Sequence, residues 1–212
     1  MIVVNCEQGS PEWLSARVGI ATASRFADVL ARLKGGEEAA TRKGYRTELV
    51  VERLTGSPAP SFTSFDMKLG TEREPLGRAE YEARFGAFVT EVGFCRHDSL
   101  PAGSSPDGLI EEDGGIEIKC PNRSTHFGYL KLDTFQAPSN YVAQIQGNLW
   151  ITGRQWWDFV SYNPDFPPNL QLIRRRIARD NAFIAMLENE VALFLEEVDL
   201  DEQFARNYKE ST

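Results

Sequence analysis

Cysteine and histidine are scarce in this 212-residue chain: three cysteines, Cys6, Cys95 and Cys120, and two histidines, His97 and His126. An odd number of widely spaced cysteines suggests neither a disulfide framework nor a zinc or iron–sulfur site, and the isolated histidines read as structural. Long apolar runs are missing too; no stretch reaches the roughly 20 residues that cross a bilayer. The opening Met1-Ile2-Val3-Val4-Asn5-Cys6-Glu7 has neither the basic segment nor the length of a signal peptide, so a soluble, cytoplasmic protein is expected. Positive charge is short as well. The net charge is -8 and the pI ≈ 4.9, where nucleic-acid binding usually leaves a basic footprint. Internal repeats and low-complexity segments are absent.

What is present is enough for one α/β domain, because 42% hydrophobic content over 212 residues allows a sizeable core. Helical patterns cover residues 24–33, 39–54 and 71–85, the last two stopping at Gly56 and Gly86. Strand-like segments follow at 88–95, 108–111, 116–119, 156–162 and 171–177, with a helix over 141–151 between the third and fourth. A last helix over 180–197 carries the apolar stripe Phe183, Leu187, Val191, Phe194 and Leu195. Acid gathers at this end in Glu188, Glu190, Glu196, Glu197, Asp199, Asp201 and Glu202, while basic residues cluster in Arg42-Lys43, Arg46, Arg53 and Arg174-Arg175-Arg176. The clusters read either as solvated faces or as local positive potential for a duplex, with an acidic exterior repelling DNA elsewhere.

The chemistry concentrates in the turn Ser105-Pro106-Asp107-Gly108 and the segment Gly115-Ile116-Glu117-Ile118-Lys119-Cys120-Pro121. On a strand, the period of two places Ile116, Ile118 and Cys120 on one face and Glu117 and Lys119 on the other. A hairpin from Asp107 then brings three charged side chains to one spot. Two carboxylates with only oxygen ligands suit Mg²⁺, and an ammonium beside that ion can hold or deprotonate an attacking water, as a phosphodiesterase centre requires. Pro-Asp-Gly is also a common turn, and Glu-Ile-Lys a common solvated strand face. Support comes from Trp13 to Ser24, where Thr22 or Ser24 precedes a helical stripe as an N-cap candidate and Arg17 lies nearby, together a candidate phosphate pocket.

Four blocks in register, W-x3-R-x-G-x2-T-A-S at Trp13 to Ser24, S-P-D-G-L at Ser105 to Leu109, E-I-K-C-P at Glu117 to Pro121 and Y-x-A-Q-x-Q-x2-L-W at Tyr141 to Trp150, resemble the phage lambda exonuclease family. These YqaJ-type viral recombinases lie within the PD-(D/E)xK nuclease superfamily. The resemblance runs over nearly the whole chain and implies a single restriction-endonuclease-like domain over residues 1–212, a central mixed β-sheet flanked by helices. It puts metal-binding carboxylates at Asp107 and Glu117, helped by the Ile118 carbonyl, and the catalytic lysine at Lys119. The water-positioning glutamine falls on Gln144 or Gln146, and the Tyr-x-Ala context selects Gln144. Gly70-Thr71-Glu72-Arg73-Glu74 matches a segment whose glutamate, here Glu74, faces the metal site. A 5′-phosphate pocket maps onto Arg17, Ser24 and Ser105, with Thr22 a fourth member, and an apolar wedge for the end base pair falls near Met67.

The resemblance further implies a Mg²⁺-dependent 5′-to-3′ exonuclease, with Mn²⁺ substituting and two ions at the centre. It would act on double-stranded DNA ends, leaving 3′ single strands for a phage single-strand annealing protein, as a ring-shaped homotrimer in the cytoplasm of a bacterial host, with no membrane partner. Three cysteines do not provide the iron–sulfur cluster of some related nucleases. Two other readings compete: another nuclease of the superfamily, endonuclease or helicase-associated, which needs no 5′-phosphate pocket, and a non-catalytic DNA-end binder, which gains nothing from carboxylates facing phosphates.

Overall fold

The computed structural model describes residues 1–60, 65–133 and 136–209, with side chains described from Lys68 onward in the second stretch. Its first half runs β1 (Ile2–Val4), α1 (Pro11–Arg17), β2 (Ala21–Thr22), α2 (Phe26–Val29), α3 (Ala40–Thr55), α4 (Phe65–Phe85), β3 (Val89–Thr90), β4 (Phe94–Arg96) and β5 (Ala102–Ser104). The second half runs β6 (Gly108–Ile110), β7 (Gly114–Lys119), α5 (Arg123–Leu130), α6 (Val142–Thr152), β8 (Trp156–Tyr162), β9 (Leu172–Ala178) and α7 (Asn181–Arg206). The expected α/β class is borne out. The strands form two mixed sheets, β3-β6-β7-β8-β9 and the smaller β1-β4-β5-β2.

The larger sheet is antiparallel except where β7 runs parallel to β8. Alternation along these strands sorts their side chains into two cores. Ile116, Ile118, Val160 and Tyr162 pack with Tyr81 of α4. Trp157 and Phe159 join Phe26, Leu149, Leu187 and Phe194 on the other side, under α2, α6 and α7. Helix α4 approaches closely because Gly77 lacks a Cβ; one added there would sit 3.0 Å from Tyr162 and 3.2 Å from Ile118. That contact sets the height at which Glu74, one turn earlier, meets the edge of β7.

Several sequence expectations are revised. The single strand expected over 88–95 is two strands in different sheets. The crossover passes Gly93, where a Cβ would stand 2.3 Å from the Cys6 carbonyl oxygen. The helix expected over 24–33 is one 3-10 turn, Ala23–Arg25, followed by the four-residue α2. It stops early because the Arg32 guanidinium takes the Val29 and Ala31 carbonyls at 3.1 and 3.3 Å, leaving Leu33 exposed. Helix α4 begins before Thr71, and α7 runs past Glu197 to Arg206. The expected stripe on α7 is buried at Leu187, Val191, Phe194 and Leu195.

The arginine clusters are used internally rather than offered to a ligand. Arg42, 3% exposed, and Arg46 clamp Glu38 and Glu197, and Arg46 also reaches Asp201. Arg53 holds Asp199 and Glu202, so the acidic end of α7 is stitched to α3. In β9, Arg176 grips the fully buried Asp158 through both oxygens at 2.8 Å, and Arg175 donates to the Tyr129 and Leu132 carbonyls. Among the described residues no helix is long and apolar enough to cross a membrane.

Candidate active site

Antiparallel pairing sets Gly108 opposite Ile116, so Asp107 stands across from Glu117. Like charges facing each other across a strand pair destabilise a sheet, and such a local conflict is the mark of a functional site. Glu117 is 1% exposed. Its Oε1 accepts from Lys119 Nζ at 2.5 Å and Gln144 Nε2 at 2.6 Å, and its Oε2 from Asn148 Nδ2 at 3.1 Å. Asp107 Oδ2 accepts the Ile118 N–H at 2.6 Å, while the Ile118 side chain turns to the opposite core. The Nζ of Lys119 also lies 5.5 Å from the centre of the Tyr141 ring.

The charges are strongly coupled. Burial, then Glu117 and Glu74, hold the Asp107 carboxyl well above the usual carboxylate range against the pull of Lys119 and the Ile118 N–H. Burial also raises Glu74, with Glu117 adding to it and Arg78 and Lys119 opposing. For Lys119, burial disfavours the ammonium, but Glu117 and Asp107 outweigh it and push its pKa up, so the group stays charged. Asp107, Glu117 and Glu74, facing Lys119 and, at Glu74, Arg78, hold their charge more readily with a further cation. The donors are hard oxygens, which suit Mg²⁺. Among the described residues no three Asp, Glu, His or Cys side chains are gathered as a ready cage, but Mg²⁺ binds through one or two carboxylates with waters and substrate oxygens completing its shell. The residues present fit that ion.

Two clefts meet at Glu74. One, of about 430 Å³, is lined by Gly70, Arg73, Glu74, Ile118, Lys119 and Tyr141; the other, of about 720 Å³, by Gln8, Trp13, Glu74, Arg78 and Asp107. Glu72 is exposed, so Glu74 is the member of its segment turned to the site. Gln146 is buried and ties the Ala178 carbonyl and the Asp180 N–H, each at 3.0 Å, which leaves Gln144 as the glutamine beside Glu117.

At the N-terminal block, Ser105 Oγ accepts from both Arg17 Nη1 and Trp13 Nε1 at 2.9 Å. The Arg17 guanidinium stacks on Trp13 at 4.0 Å. Burial lowers the Arg17 pKa against the pull of Tyr45 and Glu52, yet among the described residues it forms no salt bridge. Its planar guanidinium has the geometry to bind a carboxylate or phosphate bidentately. Thr22 pairs with Gly103 in the parallel β2–β5 ladder, so Ser24 leaves the same end of that sheet as Ser105. Thr22 Oγ1 and Ser24 Oγ are 3.4 Å apart; Ser24 is exposed and Thr22 is 5% exposed. Neither caps the turn with its side chain: Thr22 holds the N-cap position and makes no cap hydrogen bond. The side chain of Met67, expected as a wedge, lies outside the described residues.

The match to known proteins follows this geometry. The model of the YqaJ-like viral recombinase domain matches residues 12–155. The chain belongs to that family. An alkaline exonuclease, LHK-Exo from Laribacter hongkongensis, is 42% identical with a TM-score of 0.85, the alignment covering 93% of this chain and 96% of that one. The same holds for LHK-Exo crystallised with dAMP. A phage-related exonuclease from Haemophilus somnus shares the fold at 15% identity and a TM-score of 0.69, over 85% of this chain and 94% of that one. A sequence comparison with curated proteins finds no match.

Two polar groups beside the site escaped the sequence reading. Asn148 touches Glu117, and its only signal was its place one helical turn after Gln144 in an otherwise apolar run. Gln8 spans from the Val92 carbonyl at 2.9 Å to the Pro106 carbonyl at 2.8 Å, bracing the turn that carries Asp107; no periodicity marks it.

Proposed function

We propose that the chain is a Mg²⁺-dependent exonuclease of double-stranded DNA, with Mn²⁺ able to substitute. The observation that carries the reading is the fork of Asp107 and Glu117 with a charged Lys119 bonded to Glu117. Family membership and 42% identity with an alkaline exonuclease support a nuclease acting on DNA. LHK-Exo has been crystallised with dAMP, a single nucleotide of the kind exonuclease digestion releases.

Asp107, Glu117 and the Ile118 carbonyl would hold one ion, with Glu74 placed to share a second. When bound, the metal supplies polarisation of the scissile phosphate and stabilisation of the leaving oxygen. Lys119, whose ammonium form Glu117 and Asp107 favour, donates a hydrogen bond to the attacking water or a phosphate oxygen. Gln144 is half-buried and can exchange Glu117 for that water. Arg17 and Ser105, with Ser24 and Thr22 beside them, bind the terminal 5′-phosphate, a dianion that an internal diester does not match.

Family membership extends the proposal to 5′-to-3′ resection that leaves a 3′ strand for a phage single-strand annealing protein, by a ring-shaped homotrimer in the bacterial cytoplasm. The direct test is nucleotide release from duplexes labelled at one end or the other, beside a closed circular duplex. Early release of a 5′-end label ahead of a 3′-end label, from the linear form alone, is expected. Cutting of the circle would indicate an endonuclease instead.

A further inference from the structure

We propose that Asn148 is a positioning residue that holds the Glu117 carboxylate in its metal-binding orientation, an inference that rests on the metal-dependent reading above. Apart from Gln144 and Gln146, helix α6 is apolar around Asn148: Ala143, Ile145, Gly147, Leu149, Trp150 and Ile151 are all buried. Asn is a weaker helix former than Gln146 or Leu149 beside it, and burying a carboxamide is costly unless it is hydrogen-bonded. Asn148 is 1% exposed and spends its Nδ2 on Glu117 Oε2 at 3.1 Å.

The other two donors to Glu117 differ in kind. Lys119 and Gln144 both act on Oε1 and both are half-buried, on long side chains, Lys119 at the cleft. Each can turn to a water or a phosphate oxygen when substrate enters. Asn148 is enclosed and short, so its bond persists while the others exchange. It therefore fixes the carboxylate plane through Oε2, while Oε1, the oxygen whose donors exchange, regains acceptor capacity for a cation. Groups that orient a metal ligand typically change metal affinity or activity by about 10–100-fold when removed.

The test measures Mn²⁺ binding to the DNA-free protein by titration calorimetry, with thermal unfolding of the same samples. Asn148→Ala and Asn148→Leu, the latter keeping the side-chain bulk, should weaken Mn²⁺ by roughly 10–100-fold in samples that remain folded. Asn148→Ser, which keeps a donor on a shorter arm, should fall between them and wild type. Gln144→Ala should lower kcat with Mn²⁺ affinity largely kept. Unchanged Mn²⁺ affinity in folded Asn148 variants overturns the inference, and so does weakening that merely tracks the fraction unfolded. Failure of the wild-type protein to bind Mn²⁺ at all would instead overturn the metal-dependent reading.

Discussion

Replacing Arg17 isolates end recognition from phosphodiester chemistry. Among the described residues this guanidinium has one side-chain hydrogen-bond partner, Ser105, and lies over two rings, Trp13 at 4.0 Å and Phe94 at 5.7 Å. A charge-assisted hydrogen bond contributes about 1.5–3 kcal/mol, so loss of one such bond to the terminal phosphate corresponds to a fall of roughly 10- to 150-fold in preference for a 5′-phosphate over a 5′-hydroxyl end. Loss of the Ser105 bond and the Trp13 contact should cost folding about 2–4 kcal/mol, less than the roughly 5–15 kcal/mol by which domains are stable. Arg17→Ala is therefore expected to remain folded and to lose most of the preference, because the hydroxyl-ended substrate never used the pocket. Arg17→Lys should recover part of it, since an ammonium keeps the charge but neither the bidentate geometry nor the stacking plane. The assay is initial nucleotide release from the two linear duplexes by wild type and both variants. Equal rates on the two ends with wild type, or an unchanged preference in Arg17→Ala, would refute the reasoning.

Lys119→Ala should lower kcat by about 10²-fold or more, the usual range for a positioned electrostatic or proton-transfer group; near wild-type turnover would return Glu-Ile-Lys to an ordinary strand face. Asp107→Asn should abolish most turnover while duplex binding, followed by anisotropy, stays the same or tightens, because a negative charge facing phosphate is removed; weaker binding would contradict this placement. Away from the site, hydrogen bonding to Arg42 holds Glu197 below its ordinary pKa, with Arg46 adding to it. A carboxylate depressed in the folded state contributes stability above its unfolded pKa and loses it as pH falls through the folded value. Because Glu197 is partly exposed, the contribution is discounted to about 1 kcal/mol, so Glu197→Gln should lower Tm by roughly 2–4 °C at pH 7. The gap should close as the pH drops below about 4; a gap that persists in acid would point to packing rather than charge.

The centre was legible because strand geometry turns sequence spacing into position: the period of two puts Glu117 and Lys119 on one face, and the hairpin register brings Asp107 opposite. Gln144 separated from Gln146 for a similar reason, since residues two apart on a helix point in different directions. Elements held together by tertiary contacts were harder to see. Strands β2 and β5 have two and three residues, too few to display alternation, yet they carry Thr22 and Ser105 to one end of the small sheet. Helix α5 has no strong apolar stripe and is fixed by the Asn122 cap and by buried His126, which bonds Ser161 and the Leu170 carbonyl. The roles of the arginine clusters stayed open because composition gives charge without partners: those of Arg42 and Arg46 on α7 lie about 150 residues away, and those of Arg175 and Arg176 lie on other elements.

The most direct test is nucleotide release from a linear 5′-phosphorylated duplex with Mg²⁺, with Mn²⁺, with Ca²⁺ and with chelator. The hard-oxygen donor set predicts release with Mg²⁺ and Mn²⁺, and none with chelator. It also predicts Ca²⁺ binding without turnover, because the longer, looser coordination of that ion misplaces the water. Full activity in the presence of chelator would contradict a metal centre built on Asp107 and Glu117.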